Sequence, residues 1–192
     1  MLEWLLELDR TFFLAINGAF SSFWDPVMIF VSRIPVWIPL YVIVAAALFY
    51  KRSWKIALLA FGCAILTFVL TDQIGLLIKN LAERPRPGFD PMLEGLGRFI
   101  DGKGGHFSFV SNHASNVFGF ALFTLLFFKN RIYTIAILLW AATISYSRVY
   151  LGKHFPLDIL CGTILGVLCG ILIYKLFTCL INKFRQLLTL NT

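Results

Sequence analysis

The stretch SYSRVYLGKHFPLDIL, Ser145 to Leu160, joins two apolar runs, residues 132–147 and 157–181. It gathers Ser147, Arg148, Lys153, His154 and Asp158. Ionisable groups are costly in hydrocarbon and mark functional positions when they occur at its border. The reading of this link decides what kind of chain this is and where its chemistry sits.

The chain has 192 residues, 59% of them hydrophobic and only 14% charged, against about 45–50% apolar and about 25% charged in soluble domains. That is the composition of an integral membrane protein. Five long apolar stretches stand out, residues 35–50, 56–78, 114–128, 132–147 and 157–181. Each comes near the roughly 20 residues that cross a bilayer, some only with help from their flanks. Residues 2–20 set Leu, Phe and Trp against Glu, Asp, Arg and Asn at helical spacing, the pattern of an amphipathic helix lying in the interface. A tilted sixth span over residues 11–31 is the alternative, which Asn17, Asp25 and Pro26 disfavour.

The expected fold is therefore all-α, a polytopic membrane bundle of five transmembrane helices, or six, in one domain over residues 1–192. Residues 1–33 form the interfacial part, 34–182 the bundle and 183–192 the tail. Glu3, Glu7 and Asp9 replace the cationic start of a cleaved signal peptide. Cys63, Cys161, Cys169 and Cys179 all fall in apolar segments without metal-site spacing, and read as small core residues.

The net charge of +7, in so apolar a chain, points to a membrane surface and anionic membrane substrates, not to nucleic acid. Lys51, Arg52, Lys55, Lys129, Arg131, Lys175, Lys183 and Arg185 occupy short links or the tail, with no acidic residue among them. Such purely cationic links mark the cytoplasmic face. The long connection 79–113 and the short one 147–157 then share the opposite face. Loops as long as the first are usually functional.

Three groups of residues meet at that face: Lys79 with Arg86-Pro87, then Val110-Ser111-Asn112-His113, then Ser147-Arg148, His154 and Asp158. They supply three fixed cations, two histidines, one carboxylate and serine hydroxyls, with no metal-cage spacing. Cations without a metal suit a phosphoryl group, whose oxygens need positive charge in the transition state. His154 and Asp158 are four apart, and Pro156 suits the first turn of a helix, so the carboxylate can face the imidazole and fix its tautomer. The other ring nitrogen can then attack phosphorus, while His113 protonates the leaving oxygen and later activates water. Ser111 and the N–H groups that open the third span can help to hold phosphate.

The pattern K-x6-RP, SxH, SR-x5-H-x3-D resembles the type 2 phosphatidic acid phosphatase family, which shares its site with vanadium haloperoxidases. The resemblance implies a metal-independent lipid phosphatase, without cofactor, working through a phosphohistidine in the bacterial inner membrane with its site facing the periplasm. His154 then resembles the nucleophile, Asp158 its orienting carboxylate and His113 the acid/base. Lys79, Arg86, Ser111 and Arg148 resemble the phosphate cradle. The family's usual PSGH reads VSNH here, with Val110 for proline and Asn112 for glycine. Asn112 keeps the glycine's N–H for phosphate, and its side chain is a candidate for headgroup contact. Arg84, Ser147 and Lys153 are accessory candidates.

Among lipids handled by similar proteins, undecaprenyl diphosphate comes first, a lipid A phosphate group close second, and phosphatidate or phosphatidylglycerol phosphate third. A non-enzymatic anion or lipid transporter could use the same cations but needs a passage through the bundle. A largely embedded chain argues against halide oxidation on bound vanadate.

Several residues have plainer readings. His106 reads as a loop residue, and Asp72, inside the second span, as a hydrogen-bonding partner for another span. Gly162, Gly166 and Gly170 recur every four residues and permit close helix contact that locks the helix of Asp158 against a neighbour. The tryptophans read as interface anchors.

Overall fold

Ser111 and Asn130 each turn a side-chain oxygen onto the first turn of the apolar run that follows, and two helices start there. The computed structural model describes residues 2–190 and has seven α-helices: α1 (Leu2–Gly18), α2 (Trp24–Ser32), α3 (Ile38–Phe49), α4 (Trp54–Ala82), α5 (Asn112–Phe128), α6 (Arg131–Tyr150) and α7 (Pro156–Leu190). No strand occurs among the described residues beyond a single bridge, Pro85 to Phe107. Helices α4, α6 and α7 are long and apolar enough to cross a membrane, and the pair α2–α3 makes a fourth if its arms count as one. Helix α5 is apolar but shorter, at 17 residues.

The apolar stretch 35–50 does not form one span by itself. A 3₁₀ turn at Ile34–Trp37 precedes α3, which has 12 residues, and the axis bends by 75° against α2. Pro35 and Pro39 lack the N–H groups a continuous helix needs there, and the Trp37 indole N–H donates to the Val31 carbonyl across the bend, at 2.7 Å. Residues 11–31 likewise do not make one helix, because α1 stops at Gly18 and α2 begins at Trp24. At the other end, α7 continues as helix through Leu190, into the residues expected to form the tail.

Helix α5 lies at the centre, packed on α4, α6 and α7. Small residues let it. Gly119 faces the Thr67 and Thr71 methyls of α4 and the Gly166 carbonyl of α7, where even a Cβ would be crowded at 3.1–3.3 Å. Gly162 and Gly170 press against the Ser111 and Gly119 carbonyls in the same way, so the four-residue stripe serves close packing as its spacing suggests. An aromatic core of Tyr41, Phe68, Phe120 and Trp140 fills the bundle, with Tyr41 edge-on to the other three and Phe68 stacked on Phe120. Trp37 and Trp140 belong to that core, 5.7 Å apart, and are not interface anchors; Trp4, Trp24 and Trp54 are exposed. Cys63 and Cys169 are buried, whereas Cys179 is exposed.

Helices α4 and α6 end, and α5 and α7 begin, at one end of the bundle, where the 83–111 loop lies. The cationic links at 50–53 and 129–130 lie at the other end.

Candidate active site

The α6–α7 link is a tight turn built on backbone. The N–H groups of Lys153 and His154 both donate to the Arg148 carbonyl, at 2.9 and 3.3 Å. Gly152 takes a φ of +77°, and a Cβ there would stand 2.7 Å from the Arg98 carbonyl. Pro156 opens α7 as expected. Asp158, two residues further on, reaches back so that Oδ2 accepts the Phe155 N–H at 2.9 Å, one half of a capping box. The same oxygen stands 3.5 Å from His154 Nδ1, and that nitrogen has no other partner. His154 and Asp158 are essentially withdrawn from solvent, at 1% and 0% exposure.

Burial, together with the charges of Arg86, Arg148 and Lys79, pushes the His154 imidazole well below its ordinary value. It is therefore neutral at pH 7, with a lone pair available. Arg148, His154, Arg86 and Lys79 also bear on His113 at the start of α5. The structure thus brings the three motif groups to one place.

The cations near this place sort themselves by their partners. Arg84 is bound to Asp9 and Asp158, Lys153 to Asp101, Arg98 to Asp25 and Arg10 to Asp90. Lys79, Arg86 and Arg148 have no carboxylate partner among the described residues. Arg86 is oriented by backbone instead: Nε donates to the Phe107 carbonyl at 3.0 Å and one Nη to the Lys153 carbonyl at 3.2 Å. Arg148 donates to the Ser32 hydroxyl at the end of α2, and its buried Nε has no partner. Two oriented arginines and Lys79, none held by a carboxylate, stand with two histidines in an arrangement able to take an anion that nitrogen can attack.

Other candidates are placed differently. The Ser111 hydroxyl caps α5 by accepting the Ala114 N–H, and its own N–H donates to the Asp158 carbonyl at 3.1 Å. The first-turn N–H groups of Asn112 and His113 have no partner inside the helix. The Asn112 amide donates to Asp72 Oδ1 at 2.8 Å, so Asp72 is the interhelical partner its position suggests. The side chain fits because α4 has Gly75 opposite, where a Cβ would lie 2.9 Å from Asn112 Oδ1. The Ser147 hydroxyl folds back on the Ile144 carbonyl, buried within α6. Lys153 Nζ donates to the carbonyls of Asp101 and Gly102 and so fastens the long loop over the link. His106 is an exposed loop residue whose ring lies tilted against Phe89, 4.9 Å between centroids.

Sequence reasoning missed Ser32, Ser108 and the buried face of α1. Ser108 staples the loop by donating its N–H to the Arg84 carbonyl at 2.8 Å. Asp9, Phe13 and Asn17 recur every four residues and are all buried. That period was the available signal.

Residues 55–180 match the PAP2 superfamily. Over 91% of its length the chain is 37% identical to a lipid A 4'-phosphatase of Bacteroides thetaiotaomicron, covering 79% of that protein. It is 33% identical to a lipid A 4'-phosphatase of Porphyromonas gingivalis over 92% of its length, covering 75% of the relative. The crystal structure of Aquifex aeolicus LpxE superposes with a TM-score of 0.69 at 25% identity, covering 88% of this chain and 95% of that one. With its motif groups brought together at one end of the bundle and the family match spanning them, the chain belongs to the PAP2 superfamily.

Proposed function

We propose that this chain is an integral-membrane lipid phosphatase that removes a phosphate group from an anionic lipid through a phosphohistidine. The observation that carries the reading is the set of Lys79, Arg86 and Arg148, uncompensated by carboxylates and gathered around two histidines. Neutral His154 attacks phosphorus with the nitrogen remote from Asp158, forming an N–P bond as the P–O bond to the lipid breaks. His113, which takes up a proton once the negative phosphate offsets the surrounding cations, gives it to the departing oxygen, then takes one from the water that cleaves the N–P bond and releases inorganic phosphate. The three cations and the free N–H groups of Asn112 and His113 hold the phosphoryl oxygens.

The substrate of first choice is the phosphate of a lipid A-type saccharolipid, ahead of undecaprenyl diphosphate and of glycerol-based phosphates. The support is similarity: the two relatives described above, each matched over more than nine-tenths of this chain, are lipid A 4'-phosphatases. For topology, α4, α5, α6, α7 and the bent α2–α3 pair cross the membrane, giving five passes in one domain, with α1 in the interface. The cationic links then face the cytoplasm and the site faces outward, to the periplasm of a bacterial inner membrane.

Purified protein offered lipid A, undecaprenyl diphosphate, phosphatidylglycerol phosphate and phosphatidate, with and without chelator, tests the reading. Phosphate release that survives chelation and is greatest for lipid A is expected. Full turnover by a folded His154→Ala variant sinks the mechanism, and a strong preference for another lipid overturns the substrate assignment.

A further inference from the structure

Helix α1 reaches the reaction centre through polar contacts that a peripheral anchor does not need. Asp9 Oδ1 accepts the Leu157 N–H in the first turn of α7 at 2.8 Å, and its Oδ2 accepts from Arg84 at 2.6 Å. The other Nη of Arg84 donates to Asp158 Oδ1 at 2.8 Å, and its guanidinium lies over the Phe155 ring, 4.1 Å from the centroid. One turn along α1, Phe13 packs edge-on against the same Phe155 at 5.5 Å, and a turn further Asn17 donates to the Tyr150 and Arg98 carbonyls. A single stripe of α1 therefore grips both ends of the link that carries His154.

We propose that Asp9 and Arg84 are positioning residues, through which docked α1 holds Asp158 in place and in its ionised form behind His154. The inference rests on the reading of His154 as nucleophile. A carboxylate at 0% exposure is not maintained without a partner. Arg84 is that partner, and by occupying Oδ1 it leaves Oδ2 to Phe155 N–H and His154 Nδ1. Asp9 sets the balance of charge. Two carboxylates around one guanidinium leave a net single negative charge behind the imidazole, and that charge stabilises the ring as it turns cationic on bonding to phosphorus. Without Asp9 the full charge of Arg84 falls on Asp158 and cancels it.

Asp9→Asn keeps the shape and removes the charge, so it tests the device with the least risk to folding. Lipid phosphate release is measured for Asp9→Asn, Arg84→Gln and the double variant, using monodisperse protein whose melting temperature is recorded, with His154→Ala in parallel. The expected result is a fall in kcat of about tenfold for Asp9→Asn and about a hundredfold for Arg84→Gln, at KM within about twofold of the parent. The double variant is expected to be no slower than Arg84→Gln alone, because Asp9 acts through Arg84. Arg84→Lys, which keeps the charge but cannot fork between two carboxylates, should lie between Arg84→Gln and the parent. Parental kcat in folded Asp9→Asn, a loss confined to KM, or single losses that multiply in the double variant would overturn the proposal. If His154→Ala itself retains turnover, the reading of the nucleophile fails instead, so the two failures are distinguishable.

Discussion

Gly162 of α7 lies directly under the backbone of Ser111, so that a Cβ at position 162 would stand 2.6 Å from the Ser111 carbonyl oxygen. The neighbouring contact, Ser111 N–H to the Asp158 carbonyl, ties the start of α5 to the start of α7. His113 and the His154–Asp158 pair are thus registered by helix contact as well as by loops. Gly162→Ala is expected to destabilise the protein by about 1–3 kcal/mol, since backbone and not a movable side chain meets the new methyl. It should also reduce turnover by displacing His113 from His154. Gly62→Ala, inside α4 with nothing within 4 Å, serves as the control in thermal unfolding and phosphate-release measurements: turnover unchanged and stability equal or about 0.5–1 kcal/mol higher.

Asn112 and Gly75 form a matched pair across α5 and α4. Gly75→Ala should force the Asn112 amide off Asp72 and cost about 1 kcal/mol, the worth of one hydrogen bond. In an Asn112→Gly background the same substitution has nothing to strike and should cost far less. A double-mutant cycle read by melting temperature checks this, and equal costs in both backgrounds would refute the pairing.

Arg148 depends on a hydroxyl from an element distant in sequence. Ser32→Ala removes its one side-chain partner and leaves a buried guanidinium less well aimed. The expected loss is about tenfold in kcat, from about 1.4 kcal/mol of lost transition-state stabilisation. Arg148→Lys should lose more, because an ammonium cannot both reach Ser32 and present a fork to phosphate. Steady-state kinetics on both variants separates the two effects.

The neutral state of His154 has a signature in pH. Its proton affinity is lowered by burial and by Arg86, Arg148 and Lys79, so the folded protein keeps the imidazole unprotonated below pH 6.5, the ordinary value. The acid limb of kcat/KM should therefore lie below pH 6.5 rather than at it. Stability falls in the same direction but starts to do so at a higher pH. The unfolded chain binds a proton near pH 6.5 that the folded chain refuses, so this residue's contribution to stability declines as pH falls below that point. Both are read from a pH series of kinetics and melting in the same detergent, and His154→Gln should flatten its share of the stability curve.

The residues of the proposed site were legible because chemistry leaves charge in an apolar chain. Lys79, Arg86, Arg148, both histidines and Asp158 stand out against hydrocarbon, and their spacing from helix ends follows from the run lengths. Partners were much less legible. Arg84 and Lys153 are only accessory candidates in one dimension, with no partner to be read there; Asp9 and Asp101 hold them through contacts 75 and 52 residues away in sequence. The bend between α2 and α3 was also hidden, because the apolar content of residues 24–49 is indifferent to a break that Pro35 and Pro39 impose. Hydropathy reports where a chain is greasy; it does not report where it turns.

The division of cations into paired and unpaired has a practical side. Arg84, Lys153, Arg98 and Arg10 each hold a carboxylate, whereas Lys79, Arg86 and Arg148 offer their charge to whatever anion the medium supplies. Phosphate and sulfate buffers are then expected to compete with substrate, and the inorganic product of the proposed reaction is expected to do the same. Rates recorded in such buffers should report occupancy as much as chemistry, and the proposed dephosphorylation should slow wherever free phosphate reaches the site in quantity.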